Sequence, residues 1–149
     1  MDIVTPEQRS KNMAAIRSKD TKPEVYFRKL LFAKGYRYSL NSKKVPGHPD
    51  VYLRKYNTAV FIHGCFWHRH EGCKFAYMPK SRIEFWQNKF EANQKRDLVV
   101  RYELHEKGIK CLVVWECSVK KMQKDEEFQI RLLDEVVAFL TSEDSFMEL

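Results

Sequence analysis

The sequence predicts an α/β domain with a mixed central β-sheet in a three-layer α-β-α core. Three observations carry that prediction. Boxes of the form Ser/Thr-x-x-Glu/Gln, which mark helix N-termini, recur along the chain. The apolar run IKCLVVWE at 109–116 has the character of a strand buried on both faces. The elements then order as ααβββ, an insert, and αβα, which is the alternation of a sheet sandwiched between helices.

Thr5-Pro6-Glu7-Gln8 supplies a capping Thr and a Pro at the first helical position, so a basic helix is expected over 5–19. Thr21-Lys22-Pro23-Glu24 opens a second helix, which carries Val25, Leu30, Leu31 and Ala33 and stops at Gly35. Residues 36–40 read as a strand, and 41–49 as a loop holding Pro46, Gly47 and Pro49. Residues 51–53 and 58–63 read as strands around a turn at 55–57. The insert at 63–80 has little periodicity. Ser81-Arg82-Ile83-Glu84 opens a helix over 82–107 that Gly108 ends. The strand 109–116 follows, and then an amphipathic acidic helix over 125–141 with Ile130, Leu133, Val136, Val137 and Leu140 inward.

A length of 149 residues suits one domain, 1–149, with one core. No apolar run reaches eighteen residues and no signal-peptide pattern is present, so a membrane or secreted protein is disfavoured. An intracellular chain is expected to keep its 4 Cys as thiols or metal ligands. The net charge of +7 conceals an asymmetry. Residues 1–124 hold 26 Lys/Arg and 12 Asp/Glu, whereas 125–149 hold 1 and 8. The basic body points to a polyanion, most simply nucleic acid, with the acidic end facing away from it.

The insert concentrates His63, Cys65, His68, His70 and Cys73 in eleven residues. Cys65-x4-His70-x2-Cys73 is the spacing of a metal clip, and a fourth ligand would close a tetrahedral structural zinc site. Cys111 and Cys117 are the candidates. Cys117, at the strand end, is preferred, because Cys111 lies within the apolar run. His63 and His68 remain, and imidazoles beside an exposed loop suit general-base work. Asp50, opening a strand after Pro49, is the candidate for holding Mg²⁺ against a phosphate. Pro49-Asp50 is similar to the first half of the PD-(D/E)xK nuclease signature, but the second half is replaced by Phe61-Ile62-His63.

Taken together, Arg9–Met13 (RSKNM), Pro46–Asp50 (PGHPD), Phe61–His68 (FIHGCFWH), Glu84–Trp86 (EFW) and Val113–Cys117 (VVWEC) closely resemble the very-short-patch mismatch repair endonucleases, the Vsr family. The resemblance implies a restriction-endonuclease-like fold with one structural zinc. It implies a Mg²⁺-dependent enzyme that nicks double-stranded DNA 5′ of the thymine in a T·G mismatch left by 5-methylcytosine deamination. Carried onto matching positions, Asp50 and the main-chain carbonyl of Ile62 would bind Mg²⁺, with two ions expected. His68 would be the general base, His63 would assist at the phosphate, Glu24 would orient water at the metal, and Asp97 would support this network. The zinc ligands would be Cys65, His70, Cys73 and Cys117, with Glu71-Gly72 lengthening the loop.

Phe66, Trp67 and Trp86 match the family's aromatic wedge, whose rings can enter and unstack a base step. Lys89 and Asn93 follow Trp86 on a similar helix face and could read the mismatch edges, while Met13 could add a groove contact. The resemblance further implies functional association with a cytosine-5 DNA methyltransferase, no membrane partner, a monomer, and a cytoplasmic, nucleoid-associated location. Each residue also has a plainer reading: core rings, an ordinary solvated helix face, a capping Glu24, and an Asp97 paired with Arg96 or Arg101. The competing function is a non-catalytic, zinc-stabilised DNA-binding module.

Overall fold

The computed structural model describes residues 20–149; the expected helix over 5–19 and Met13 lie outside them. Helix α1 (Lys22–Ala33) begins as its capping box requires. The Thr21 hydroxyl accepts from the Glu24 N–H at 3.4 Å, and the Glu24 carboxylate reaches back to the N–H of Asp20 at 2.8 Å. The helix ends in a Schellman arrangement, with Gly35 at φ +97° and the N–H of Tyr36 donating to the carbonyl of Leu31 at 3.1 Å.

Strands β1 (Val51–Leu53) and β2 (Thr58–His63) pair antiparallel around a 3₁₀ turn, Arg54–Tyr56, closed by Asn57 in the left-handed region. The expected strand over 36–40 reduces to one bridge, Ser39 with Tyr52. Asn41, at φ +49°, bends the chain away before a second pair can form. The tyrosines of the segment serve local contacts instead. Tyr38 donates to the carbonyl of Arg28, and Tyr36 meets Tyr56 edge to face.

Helix α2 (Ile83–Glu106) starts without its expected cap, because Arg82 occupies the N-cap at φ +53° and makes no side-chain capping bond. Gly108 stops it as expected, with the N–H of Ile109 donating to the carbonyl of Leu104 at 2.9 Å. Strand β3 (Lys110–Trp115) then pairs parallel with β2. The expected strand over 109–116 is shorter at both ends. Glu116 instead opens helix α3 (Glu116–Lys124), which the sequence reading did not contain. Helix α4 (Glu126–Thr141) is capped by Asp125, whose side chain accepts from the N–H of Phe128 at 3.1 Å. A short strand β4 (Phe146–Glu148), also unanticipated, pairs parallel with the far side of β3.

The sheet order is β1-β2-β3-β4, mixed, and both faces are covered. Alternation along the strands sorts the core into two layers. Val51, Leu53, Val60, Leu112 and Val114 face Phe27 and Leu31 of α1, Val119 and Met122 of α3, and Leu133, Val136 and Leu140 of α4. Ala59, Phe61, Cys111, Val113 and Trp115 face Leu104 of α2 and Val45. The acidic helix α4 therefore lies on the side of the sheet opposite α2. No helix among the described residues is long and apolar enough to cross a membrane.

Leu112 is fully buried at the centre of the sheet. Leu112→Ala is expected to lower unfolding free energy by about 2–5 kcal/mol, through lost burial and a residual cavity. Leu98→Ala, on the exposed side of α2, should change it by only about 0.5 kcal/mol. Urea denaturation of both variants checks the contrast.

Candidate active site

Antiparallel pairing places the start of β1 beside the end of β2, so Asp50 comes against Ile62. The N–H of Ile62 donates to Asp50 Oδ2 at 2.6 Å. The first turn of α1 delivers Glu24, buried, to the same place. Asp50 is pushed up to about 7, first by burial and then by the adjacent Glu24 carboxylate, against the lowering pull of the Ile62 amide. Two carboxylates crowded into a low-dielectric mouth repel each other, and a bound cation would relieve that repulsion. That donor chemistry fits a hard divalent cation, which takes one or two carboxylates and fills its remaining positions with water and phosphate oxygens.

His63 ends β2, and His68 lies on the loop beyond it. Their rings stack at 3.8 Å and 4°. His68 Nδ1 lies 2.7 Å from Asp97 Oδ2, a residue carried across from α2. Asp97 thus pairs with His68 rather than with the helix neighbours that its sequence position offered. Burial, followed by the proximity of His68, pushes His63 down to about 3, so this ring is neutral at physiological pH. Glu24, Asp50, Ile62, His63, His68 and Asp97 all line one cleft of about 1030 Å³ between α2 and the sheet edge. Gly47 lets the loop before Asp50 approach α2. At φ +79°, a Cβ there would sit 2.5 Å from a methyl group of Val100.

Cys65, His70, Cys73 and Cys117 form a second group, with ligand atoms all within 4.8 Å of one another. Cys117 joins it from the first turn of α3, whereas Cys111 is buried among the α2-side core residues. Burial and the neighbouring Cys117 push the Cys65 thiol up to about 12, a direction that a cation within the cluster would reverse. Three thiols and an imidazole at this separation match a closed tetrahedral metal site.

The aromatic residues gather beside the cleft, and Trp67 is among those that line it. Phe66 meets Trp67, Trp86 and Phe90 edge to face at 5.2, 5.5 and 5.1 Å, and Trp67 lies 5.8 Å from Trp86. All but Phe90 are half-exposed. Asn93 donates to the carbonyl of Trp67 at 3.1 Å, which fastens the loop to α2, while Lys89 is exposed on the same helix. Sequence reasoning gave no role to Trp115. Its ring stacks on His70 at 4.2 Å, meets His63 edge to face at 5.4 Å, and donates its indole N–H to Glu148 at 3.0 Å. Its signal was an indole at a strand end, two residues before a candidate ligand.

The arrangement can hold a cation against an anionic ester beside a carboxylate-backed imidazole, with exposed rings nearby. The sequence profile described as DNA mismatch endonuclease Vsr matches residues 1–74. The chain is 47% identical over 135 residues to the type II nicking enzyme V.NmeAIP of Neisseria meningitidis serogroup A, covering 91% of this chain and 96% of that protein. It is 40% identical over 133 residues to the type II nicking enzyme V.XorIIP of Xanthomonas oryzae pv. oryzae, covering 89% and 97%. It is 38% identical over 133 residues to the DNA mismatch endonuclease Vsr of Escherichia coli K12, covering 88% and 85%. The chain belongs to the Vsr family of DNA mismatch endonucleases.

Proposed function

We propose that this chain hydrolyses one phosphodiester bond of duplex DNA, 5′ of the thymine in a T·G mismatch, with Mg²⁺ as its catalytic cofactor and Zn²⁺ as a structural one. The observation that carries the reading is the convergence of the Asp50–Glu24 carboxylates and the His68–Asp97 pair in one cleft beside half-exposed aromatic rings.

Asp50 and the main-chain carbonyl of Ile62 would hold Mg²⁺, which when bound neutralises phosphate charge and supports both the attacking and the leaving oxygen. The chain's own groups do the rest. With Asp97 accepting from Nδ1–H, His68 presents Nε2 as the base that takes a proton from the attacking water. Asp97 then stabilises the imidazolium and fixes its orientation. Stacked on it, His63 stays neutral because of its burial and can donate one N–H to a phosphate oxygen. The two rings therefore take different parts: one accepts a proton and its neighbour binds the ester. Glu24 closes the cation site from α1 and orders water there, while it also caps the helix. Phe66, Trp67 and Trp86 would enter the base step, where a mismatched pair is cheaper to unstack than a matched one. Lys89 would reach the base edges, as would Asn93 after leaving the carbonyl it now holds.

Asp50→Asn should slow nicking of a T·G duplex about a thousandfold, equivalent to several kcal/mol of lost charge stabilisation, while binding changes little. A gel-based single-turnover assay beside a mobility-shift titration checks both halves. No strand-specific wild-type nick in several flanking sequences would count heavily against the whole reading.

Because Asp50 is raised from 3.8 to about 7, its proton must leave before a cation binds. The apparent Mg²⁺ affinity should rise with pH up to about 7 and level off above it. The linkage has a definite sign. A raised folded-state value contributes stability below 3.8 that is lost as pH rises through about 7, so metal-free Asp50→Asn should gain stability relative to wild type across that window. Thermal melts with and without Mg²⁺ from pH 4 to 8 read this directly.

Metal analysis after exhaustive dialysis should find about one zinc per chain, with nicking still dependent on added Mg²⁺. Cys117→Ala should lose the zinc and unfold at lower temperature. Full zinc retention by that variant would exclude Cys117 as a ligand.

A further inference from the structure

Arg69 lies between two residues with assigned roles, His68 and His70, and has none itself. Its backbone is held at φ +55°, a region that L-residues with a Cβ seldom occupy. The strained turn sends its side chain back over the aromatic group. Nη1 donates to the carbonyls of Phe66 and Tyr77, each at 3.1 Å, and Nη2 donates to that of Ala76 at 2.8 Å. The guanidinium carbon sits 3.9 Å from the centre of the Phe90 ring and 5.6 Å from that of Phe66.

One planar fork thus ties three pieces of chain: the loop bearing Phe66 and Trp67, the turn at 76–77, and helix α2 through Phe90. The turn needs such a tie, because Phe75, Tyr77 and Met78 are all exposed and bury little that would hold it. Tyr77 in turn lies against Phe66, at 5.1 Å between ring centres. A lysine cannot replace this, since it offers one nitrogen and no plane to lie on a ring.

We propose that Arg69 is a positioning residue, which holds Phe66, Trp67 and Trp86 together with the 76–77 turn as one preformed surface for insertion beside a mispaired base. This rests on the mismatch-nicking reading. Its physical basis is preorganisation: rings already in place lose less conformational freedom when they enter a base step.

The test uses zinc-loaded wild type, Arg69→Lys and Arg69→Gln, with and without DNA. Without DNA, trypsin cleavage at Lys74, Lys80 and Arg82 should be about tenfold faster or more in both variants, with zinc content unchanged. With DNA, a T·G duplex carrying 2-aminopurine beside the mismatch should show an unstacking signal for wild type that both variants lose. KM should rise about tenfold and kcat should change by less than about threefold. On a duplex whose step is already opened by an abasic nucleotide, both variants should nick within about threefold of wild type, a rescue that general destabilisation would not give. Unchanged trypsin rates in Arg69→Gln would overturn the tie. Full activity of Arg69→Lys would overturn it too, leaving a simple charge contact with DNA. Equal defects on closed and opened duplexes would overturn the positioning role. If wild type nicks neither duplex, the mismatch reading fails instead, and the trypsin rates still decide whether Arg69 makes the tie.

Discussion

His63 and Trp115 end the parallel strands β2 and β3 in register with each other. Much of the site depends on that pairing. Parallel strands carry their chains out of the sheet on the same side, so Gly64-Cys65 and Glu116-Cys117 continue as neighbours. Cys65 and Cys117, fifty-two positions apart, thereby reach the same cluster as His70 and Cys73. The indole of Trp115 lies between this cluster and the stacked pair His63 and His68, with one face on His70 and His63 edge-on to it. A slip of one residue between the strands would send His63 or Trp115 to the opposite face and separate the two groups.

The electrostatics of the cleft follow from how its groups are buried. Asp50 lies beside Glu24 at the strand edge, and burial first, then the neighbouring carboxylate, raises it toward neutrality. The histidines are treated unequally. His63 is kept neutral by burial, while His68 has Asp97 at 2.7 Å. Two stacked imidazoles cannot both carry charge at low cost, and only His68 has a carboxylate against its ring nitrogen. Two carboxylates, a neutral imidazole and a carboxylate-paired imidazole thus differ mostly in their surroundings.

The sheet separates chemistry from the acidic end of the chain. Helix α2 carries Asp97, Asn93 and Trp86 on one side of the sheet, while α4, with half of the acidic residues after 124, packs on the other. A net charge of +7 is therefore a poor guide to the field near the cleft. The rings beside it are held by backbone carbonyl contacts from Asn93 and Arg69 as well as by one another. The group of rings is in this sense built on α2 and not on the loop alone.

What the sequence determined by itself was whatever depends on neighbours along the chain. The Thr21–Glu24 cap, the glycine stops at 35 and 108, the β1–β2 hairpin and the Cys/His clip are set by hydrogen-bonding options and ligand spacings within a few residues. Family resemblance added roles for Asp50, His68 and the rings. Only the tertiary structure decided matters settled by distant partners. The Ser81 box went unused because Arg82 took the N-cap in a left-handed conformation. The strand over 36–40 shrank to one bridge when Asn41 turned away. Residues 146–148 became a strand because β3 had an edge to pair, although three residues carry little signal of their own. Asp97 could have paired along its helix, and it pairs with His68 because α2 crosses the sheet above the end of β2. A helix surface offers a carboxylate several local partners of nearly equal strength, and a half-buried imidazole at 2.7 Å selects one that no local pattern records.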